Sequence, residues 1–187
     1  NHRDLEDDEV LVKVTSCTIL PADLALLGGL YGSSLPSLPR IFGMEGSGII
    51  EKVGKAVDSS IIGKTCGVVG VSSTKNFHGT WSEYVYTQVD KLMIFNKEMD
   101  FDFIAACQGN PLTACGFIET IKSAGKKSVA QTGSSSAFGK MFLRLCIQEG
   151  IEVINVVRKQ SNIDDMTKLG GKHFVNTSEK GWETQFK

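Results

Sequence analysis

The sequence predicts a chain of two parts, a strand-rich β unit followed by the first half of a doubly wound parallel α/β domain. Three observations predict this fold class. Short β-branched runs separated by glycine and serine clusters fill the first hundred or so residues, as in small barrels and sandwiches. The pattern becomes helical near residue 101. A strand, a glycine/serine turn, a helix and a second strand then follow, in the order of a β-α-β unit.

The β unit is expected to contain several short strands and one helix. The helix is predicted over residues 21–27. The predicted strands are 10–14, 48–53, 65–71 and 84–86. Many short strands with such turns favour a small barrel or sandwich.

The second part begins with a mostly helical stretch over 101–121 that is interrupted at 109–111. We place the domain boundary near residue 120, which gives domains of residues 1–120 and 121–187. After it, strands are predicted at 128–132, 152–157 and from His173, with helices from the turn to about Glu149 and over 162–169. Two or three strands make only half of such a sheet. We therefore expect a fragment, or a shortened relative, of a protein near twice this length.

Composition excludes several classes of function. The formal net charge is −1, so no basic excess indicates a nucleic-acid partner. No apolar run approaches the roughly 20 residues of a membrane helix. The five cysteines are odd in number and no two are spaced as C-x-x-C, which disfavours a disulfide framework or a four-thiolate zinc site. We expect reduced, mostly buried thiols and an intracellular protein, cytoplasmic or mitochondrial. The start lacks both a signal-peptide core and a Met, so we expect the true N-terminus to be missing.

The turn after the first strand of the α/β part is the leading candidate site. Pyrophosphate binds at the N-terminus of the first helix in such units, and small residues let it approach the backbone. The seven turn residues are Gly133, Ser134, Ser135, Ser136, Ala137, Phe138 and Gly139. Ser134 and Ser136 stand where a G-x-G-x-x-G motif has its first two glycines, and a serine hydroxyl can donate to phosphate. An ordinary strand-turn-helix without a ligand is the alternative.

The end of the second strand indicates which dinucleotide is bound. NAD sites place a carboxylate there for the ribose 2′-hydroxyl, whereas NADP sites accommodate the 2′-phosphate with Arg. This chain has Arg158 and Lys159, about 20 residues past the turn. A guanidinium binds phosphate with paired hydrogen bonds, so NADP(H) is the predicted cofactor. Two solvated surface cations are the alternative.

Four segments together resemble the medium-chain dehydrogenase/reductase family, and they occur in that family's order. They are 38–48, 79–85, 110–114 and the nucleotide turn through Arg158. The resemblance implies a GroES-like barrel followed by a Rossmann domain, with substrate and nicotinamide in the cleft between them. It also implies a second Rossmann half that this chain lacks.

The resemblance also implies that the chain has no metal site. The positions that carry zinc ligands in zinc-dependent members are similar to Leu20, Met44 and Gly109, none of which is a normal zinc ligand. Cys107 and Cys115 lack thiol or imidazole partners at ligand spacing. Without a Lewis acid, alcohol dehydrogenation is not expected. The zinc-independent branch contains quinone reductases and 2-enoyl thioester reductases.

That branch implies roles for single residues. Tyr31 resembles the tyrosine that donates a hydrogen bond to the developing enolate, although a loop tyrosine that packs its ring is the alternative. Thr113 is expected under the nicotinamide, with Asn110 nearby. Trp81 also fits the enoyl-reductase pattern, but a structural role at a strand start is favoured.

The expected function is NADPH-dependent hydride transfer to a quinone or to an activated C=C of an enone or enoyl substrate. The full-length form is expected to be a homodimer or a subunit of a larger assembly. A catalytically inactive relative that serves as a structural or regulatory subunit is the alternative.

Overall fold

The computed structural model describes residues 3–30, 40–69 and 79–186, except for the side chains of the last two. The chain forms two compact units, residues 1–109 and 110–187. The boundary predicted near residue 120 falls inside the helix Gly109–Ser123. This helix buries Ala114 and Ile118 in the core of the second unit, which explains why the units separate before it.

An antiparallel sheet of five strands forms the first unit, in the order β4-β1-β2-β3-β5. The strands are β1 (Glu9–Cys17), β2 (Glu45–Val53), β3 (Thr65–Val69), β4 (Tyr84–Gln88) and β5 (Leu92–Phe95). Two helices accompany them, α1 (Pro21–Leu27) and α2 (Phe101–Ala106). Short 3-10 turns occupy Ser59–Ile61 and Val89–Lys91.

One face of this sheet forms the core of the first unit. Val10 and Val12 are two residues apart on β1, so they point to the same side, and both are fully buried. They pack with Ile50, Cys66, Val68 and Val85. The sheet brings the beginning of β2 next to the end of β1, because Gly46 is paired with Cys17. The loops at that end of the sheet are therefore close together.

The second unit is a three-stranded parallel sheet in the order β6-β7-β8 with helices between the strands. Its elements are α3 (Gly109–Ser123), β6 (Ser128–Gln131), α4 (Ala137–Gln148), β7 (Glu152–Val157), α5 (Gln160–Lys168) and β8 (His173–Asn176), and a 3-10 turn over Trp182–Phe186 follows. Both parts of the predicted fold class are thus confirmed, a β unit and the start of a doubly wound α/β unit.

Parallel pairing determines where the candidate site residues lie in the second unit. Gln131 at the end of β6 is paired with Asn155 of β7, and Val157 is paired with Asn176 at the end of β8. The carboxyl ends of the three strands therefore share one edge. The turn after β6 and the cations after β7 both follow that edge, where ligands bind in open α/β sheets.

All five cysteines are free. Burial raises the pKa of the Cys66 thiol to about 12 and that of Cys146 to about 11, so both stay protonated. The prediction of mostly buried thiols is wrong for Cys17 and Cys115, which are exposed. Cys17 is the last residue of β1 and lies at a position where the alternating side chains of the strand face solvent. Cys115 follows the buried Ala114 on α3 and lies outside the helix face that packs into the core.

None of the helices in the described part of the chain combines the length and apolar character that a membrane crossing would need.

Candidate functional site

Two glycines shape the turn between β6 and α4. Gly133 has a φ of +63°, a left-handed conformation that side chains disfavour. A Cβ on Gly139 would lie 2.3 Å from the carbonyl oxygen of Ser134, so only glycine lets the first turn of α4 approach the preceding loop. Close packing of helix against strand is the role of the last glycine in dinucleotide-binding turns.

The serine hydroxyls of the turn are engaged in internal contacts. Ser134 is 1% exposed, and its Oγ lies 2.9 Å from the carbonyl oxygen of Gln131 and 3.0 Å from that of Val156. The expectation that this hydroxyl donates to phosphate does not match the structure, because it points into the protein. The Oγ of Ser136 accepts the N–H of Gly139 at 3.0 Å and caps α4. Its hydroxyl proton remains available to a ligand.

Backbone donors remain for an anion at this turn. Ala137 and Phe138 are the first two residues of α4, and within the described residues no acceptor is recorded for their N–H groups. Free N–H groups and the helix dipole at an N-terminus favour negative charge. The residues present therefore fit a pyrophosphate, with backbone groups rather than the Ser134 hydroxyl as the donors.

Arg158 and Lys159 directly follow β7 on the same edge and are exposed. Neither forms a salt bridge with any residue that the structure describes. The loop after β8 is tied to this point, because Thr177 N–H donates to the carbonyl oxygen of Val157 at 2.8 Å. Two unpaired cations beside the turn suit the 2′-phosphate that distinguishes NADP from NAD.

Sequence reasoning missed the buried amides beneath the turn. Gln131 Nε2 donates to Asn155 Oδ1 at 2.8 Å and to the carbonyl oxygen of Gly139 at 3.2 Å. Asn155 Nδ2 in turn donates to the carbonyl oxygen of His173 at 3.2 Å. These bonds connect β6, β7, β8 and α4. A polar residue within the apolar run of β7 was the available signal, since buried polar groups need partners.

Asn110 and Thr113, two further residues predicted from the sequence, lie in the described part of the chain. Asn110 and Thr113 lie three residues apart at the start of α3, hence on the same side of the helix. Asn110 is half-buried and Thr113 is exposed. Their contact with nicotinamide stays a prediction. Tyr31 lies outside the described residues.

The three positions that are similar to zinc-ligand positions each donate a backbone hydrogen bond to a buried carboxylate, either Asp23 or Glu45. Leu20 N–H donates to Asp23 Oδ2 at 2.8 Å and Met44 N–H donates to Asp23 Oδ1 at 3.0 Å. Glu45 accepts the N–H of Gly109; burial raises the pKa of Glu45, and this hydrogen bond opposes the rise. Among the described residues, no group of three or more His, Cys, Asp or Glu side chains is arranged to hold a metal ion.

Trp81 has a structural contact close to these carboxylates. Its Nε1–H donates to the carbonyl oxygen of Thr18 at 3.0 Å, and its ring lies 6.5 Å from that of Phe42. The neighbouring Thr80 Oγ1 donates to the carbonyl oxygen of Glu45 at 2.8 Å. The Gly79-Thr80-Trp81 turn thus holds the start of β2, in agreement with the structural role favoured for Trp81.

Known proteins share a domain family and extended sequence similarity with this chain. Residues 6–97 match the alcohol dehydrogenase GroES-like domain. A mitochondrial enoyl-[acyl-carrier-protein] reductase of Caenorhabditis elegans is 33% identical over 177 residues, covering 92% of this chain and 50% of the relative. The chain spans about half the length of the curated relatives it matches.

Solved structures agree in fold. A candidate NADPH:quinone reductase of Mesorhizobium loti has a TM-score of 0.87 at 27% identity, covering 98% of this chain and 52% of its own. Escherichia coli quinone oxidoreductase complexed with NADPH has a TM-score of 0.81 at 20% identity, with coverages of 99% and 55%, and shares the fold alone. A GroES-like domain match followed by a parallel β-α-β unit agrees with the resemblance of the chain to medium-chain dehydrogenases/reductases.

Proposed function

We propose that the protein carrying this chain is an NADPH-dependent reductase that transfers hydride, without zinc, to the electron-poor C=C of a 2-enoyl thioester. Quinones are the second acceptor class. One observation carries the cofactor proposal: Arg158 and Lys159, which have no ion-pair partner in the described part of the chain, share a sheet edge with the N–H groups of Ala137 and Phe138, which have no acceptor there.

In this proposal each end of the nucleotide has its own residues. The N–H groups of Ala137 and Phe138 and the hydroxyl of Ser136 hold the pyrophosphate, and Gly133 and Gly139 shape the turn. Arg158, with Lys159 beside it, pairs with the 2′-phosphate. Asn110 and Thr113 contact the nicotinamide by resemblance. NADPH supplies the hydride when it is bound.

The substrate proposal rests on the curated relatives and on Tyr31. The relatives are named enoyl-[acyl-carrier-protein] reductases, whereas the structures that match in fold are named quinone reductases. Hydride addition to a 2-enoyl thioester places negative charge on the thioester oxygen, so a donor is needed there. The Tyr31 hydroxyl fills that role by resemblance.

The cellular compartment and the oligomeric state are also proposed from the relatives and from the family resemblance. The name of the curated relatives supports a mitochondrial location within the cell. By family resemblance we expect the full-length protein to be a homodimer or part of a larger assembly.

The test is a turnover assay with the full-length protein, NADPH or NADH, and a panel of trans-2-enoyl thioesters and quinones. We expect NADPH oxidation with enoyl thioesters, and a loss of about 10²-fold or more in kcat for Tyr31→Phe. Its matched control is Tyr84→Phe, on β4. Faster turnover of quinones than of enoyl thioesters would reverse the order of acceptors. Tight NADPH binding without turnover of either class would support the inactive relative instead, and failure to bind NADPH would overturn the cofactor proposal.

A further inference from the structure

Two carboxylates are buried in the described part of the first unit. Asp23 is 0% exposed and Glu45 is 7% exposed. Neither forms a salt bridge with any described residue, and the charge of Asp23 acts on Glu45. Burying carboxylates is costly unless hydrogen bonds compensate. Backbone hydrogen bonds to both carboxylates supply this compensation.

Backbone N–H groups from three separate segments converge on the pair. Asp23 accepts from Leu20, which precedes α1, and from Met44, which precedes β2, one oxygen for each donor. Glu45 accepts from Gly109, the first residue of α3. The main chain of Glu45 is itself fixed, since its carbonyl oxygen accepts from Thr18 N–H at 3.3 Å and from Thr80 Oγ1 at 2.8 Å.

The contact at Gly109 leaves no room for a side chain. A Cβ there would lie 1.9 Å from Glu45 Oε1, far inside van der Waals contact. Leu20, Met44 and Gly109 are also the three positions that resemble zinc-ligand positions. At each of them the backbone N–H, rather than the side chain, makes the contact that joins the segments.

We propose that Asp23 and Glu45 are positioning residues that hold the backbone at Leu20, Met44 and Gly109 in place within the first unit, and that this arrangement supports the proposed reductase reaction. This inference rests on the proposed function. The carboxylates join the segments through backbone amides, as a metal ion would through side chains.

Amide hydrogen exchange in the full-length protein tests the contacts without any assay of activity. Asp23→Ala is expected to speed exchange at Leu20 and Met44 by about tenfold or more and to leave Gly109 unchanged, because a lost acceptor opens only its own donors. Glu45→Ala is expected to affect Gly109 only. Glu51→Ala, at an exposed position on the same strand β2, is the matched control and should change none of the three amides.

A double-mutant cycle tests the functional role. Gly109→Ala should displace the Glu45 carboxylate and lower kcat with an enoyl thioester about tenfold or more, with the Kd for NADPH changed less than twofold. In a Glu45→Ala background the same glycine substitution should add almost nothing, since the clashing oxygen is gone. Glu45→Gln keeps an acceptor for Gly109 and should retain most of kcat, whereas Glu45→Met, of similar length but without the oxygen acceptor, should not.

The outcomes separate the two proposals. Unchanged exchange at all three amides, or equal effects of Gly109→Ala in both backgrounds, overturns the positioning role. If the alanine variants do not fold, Asp23→Asn tests the contact instead: its amide keeps one acceptor oxygen for two donors, so exchange should speed up at only one of Leu20 and Met44. If the wild-type protein reduces no substrate although exchange responds as expected, the reductase proposal fails while the contacts stand.

Discussion

The hydroxyl of Ser134 lies 3.0 Å from the carbonyl oxygen of Val156, which ties the turn after β6 to the neighbouring strand β7. It also lies 2.9 Å from the carbonyl oxygen of Gln131 at the end of β6. A residue in the position of a motif glycine therefore supports the turn from inside. Contact with phosphate is left to the backbone donors of α4.

Removal of this contact should destabilise the second unit. Ser134→Ala is expected to lower the free energy of unfolding by about 1–2 kcal/mol, because the carbonyl oxygens of Gln131 and Val156 lose the hydroxyl that contacts them. Ser135→Ala is the control, since the Ser135 side chain makes no hydrogen bond within the described residues, and should change it by less than about 0.5 kcal/mol. Urea denaturation measures both. Equal effects would show that Ser134 is not a support.

Gly139 should be intolerant of any side chain. Gly139→Ala places a Cβ 2.3 Å from the Ser134 carbonyl oxygen, so we expect about 1–3 kcal/mol of destabilisation from overpacking and weaker NADPH binding. Gly116→Ala on α3 has open space around the new Cβ and should stabilise by about 0.5–1 kcal/mol through helix propensity. Thermal unfolding and NADPH titration of the two variants would show opposite signs; a tolerated Gly139→Ala would contradict the close approach.

Arg158 should determine the preference for NADPH. Arg158→Asp puts a carboxylate beside the 2′-phosphate, and we expect the Kd for NADPH to rise at least tenfold, about 1.4 kcal/mol, while that for NADH stays the same or falls. Lys126→Asp makes the same kind of charge change before β6, at the opposite end of the strand, and should leave both Kd values unchanged. Titration followed by nicotinamide fluorescence measures them. An unchanged NADPH affinity in Arg158→Asp would refute the cofactor proposal.

Glu9 should make stability depend on pH. Arg3 donates two hydrogen bonds to the buried Glu9 carboxylate, at 2.6 and 2.7 Å, and this contact lowers the pKa of Glu9 below its usual 4.5. A carboxyl whose pKa is lower in the folded state stabilises the fold above the unfolded pKa and loses that stabilisation as pH falls through the folded value.

Glu9→Gln should therefore cost about 1–2 kcal/mol at pH 7, since Arg3 is partly exposed, and the difference from wild type should shrink below pH 4.5. Urea unfolding from pH 7 to pH 3 measures it. Glu98→Gln, at an exposed position, serves as control. A difference that does not depend on pH would contradict the pairing.

Local signals predicted several elements correctly. α1 begins at Pro21 and ends at Leu27 as expected, because a proline marks its first turn and glycines follow it. β7 also matches its expected range. β5 was missed, since Leu92–Phe95 is a short apolar run with every residue half-buried, and periodicity does not identify such runs. α5 begins at Gln160, before the predicted start at residue 162.

By itself the sequence determined the order of the two units, the position of the candidate nucleotide turn and the two cations after the second strand of the α/β unit, because each of these can be read from spacing along the chain. Only the tertiary structure decided that the Ser134 hydroxyl points inward to Val156 and that Asp23 reaches Met44. Each of these bonds joins residues that are distant in the chain. The physical reason is that a buried polar group must find whichever partner folding brings to it, and that choice has no local pattern.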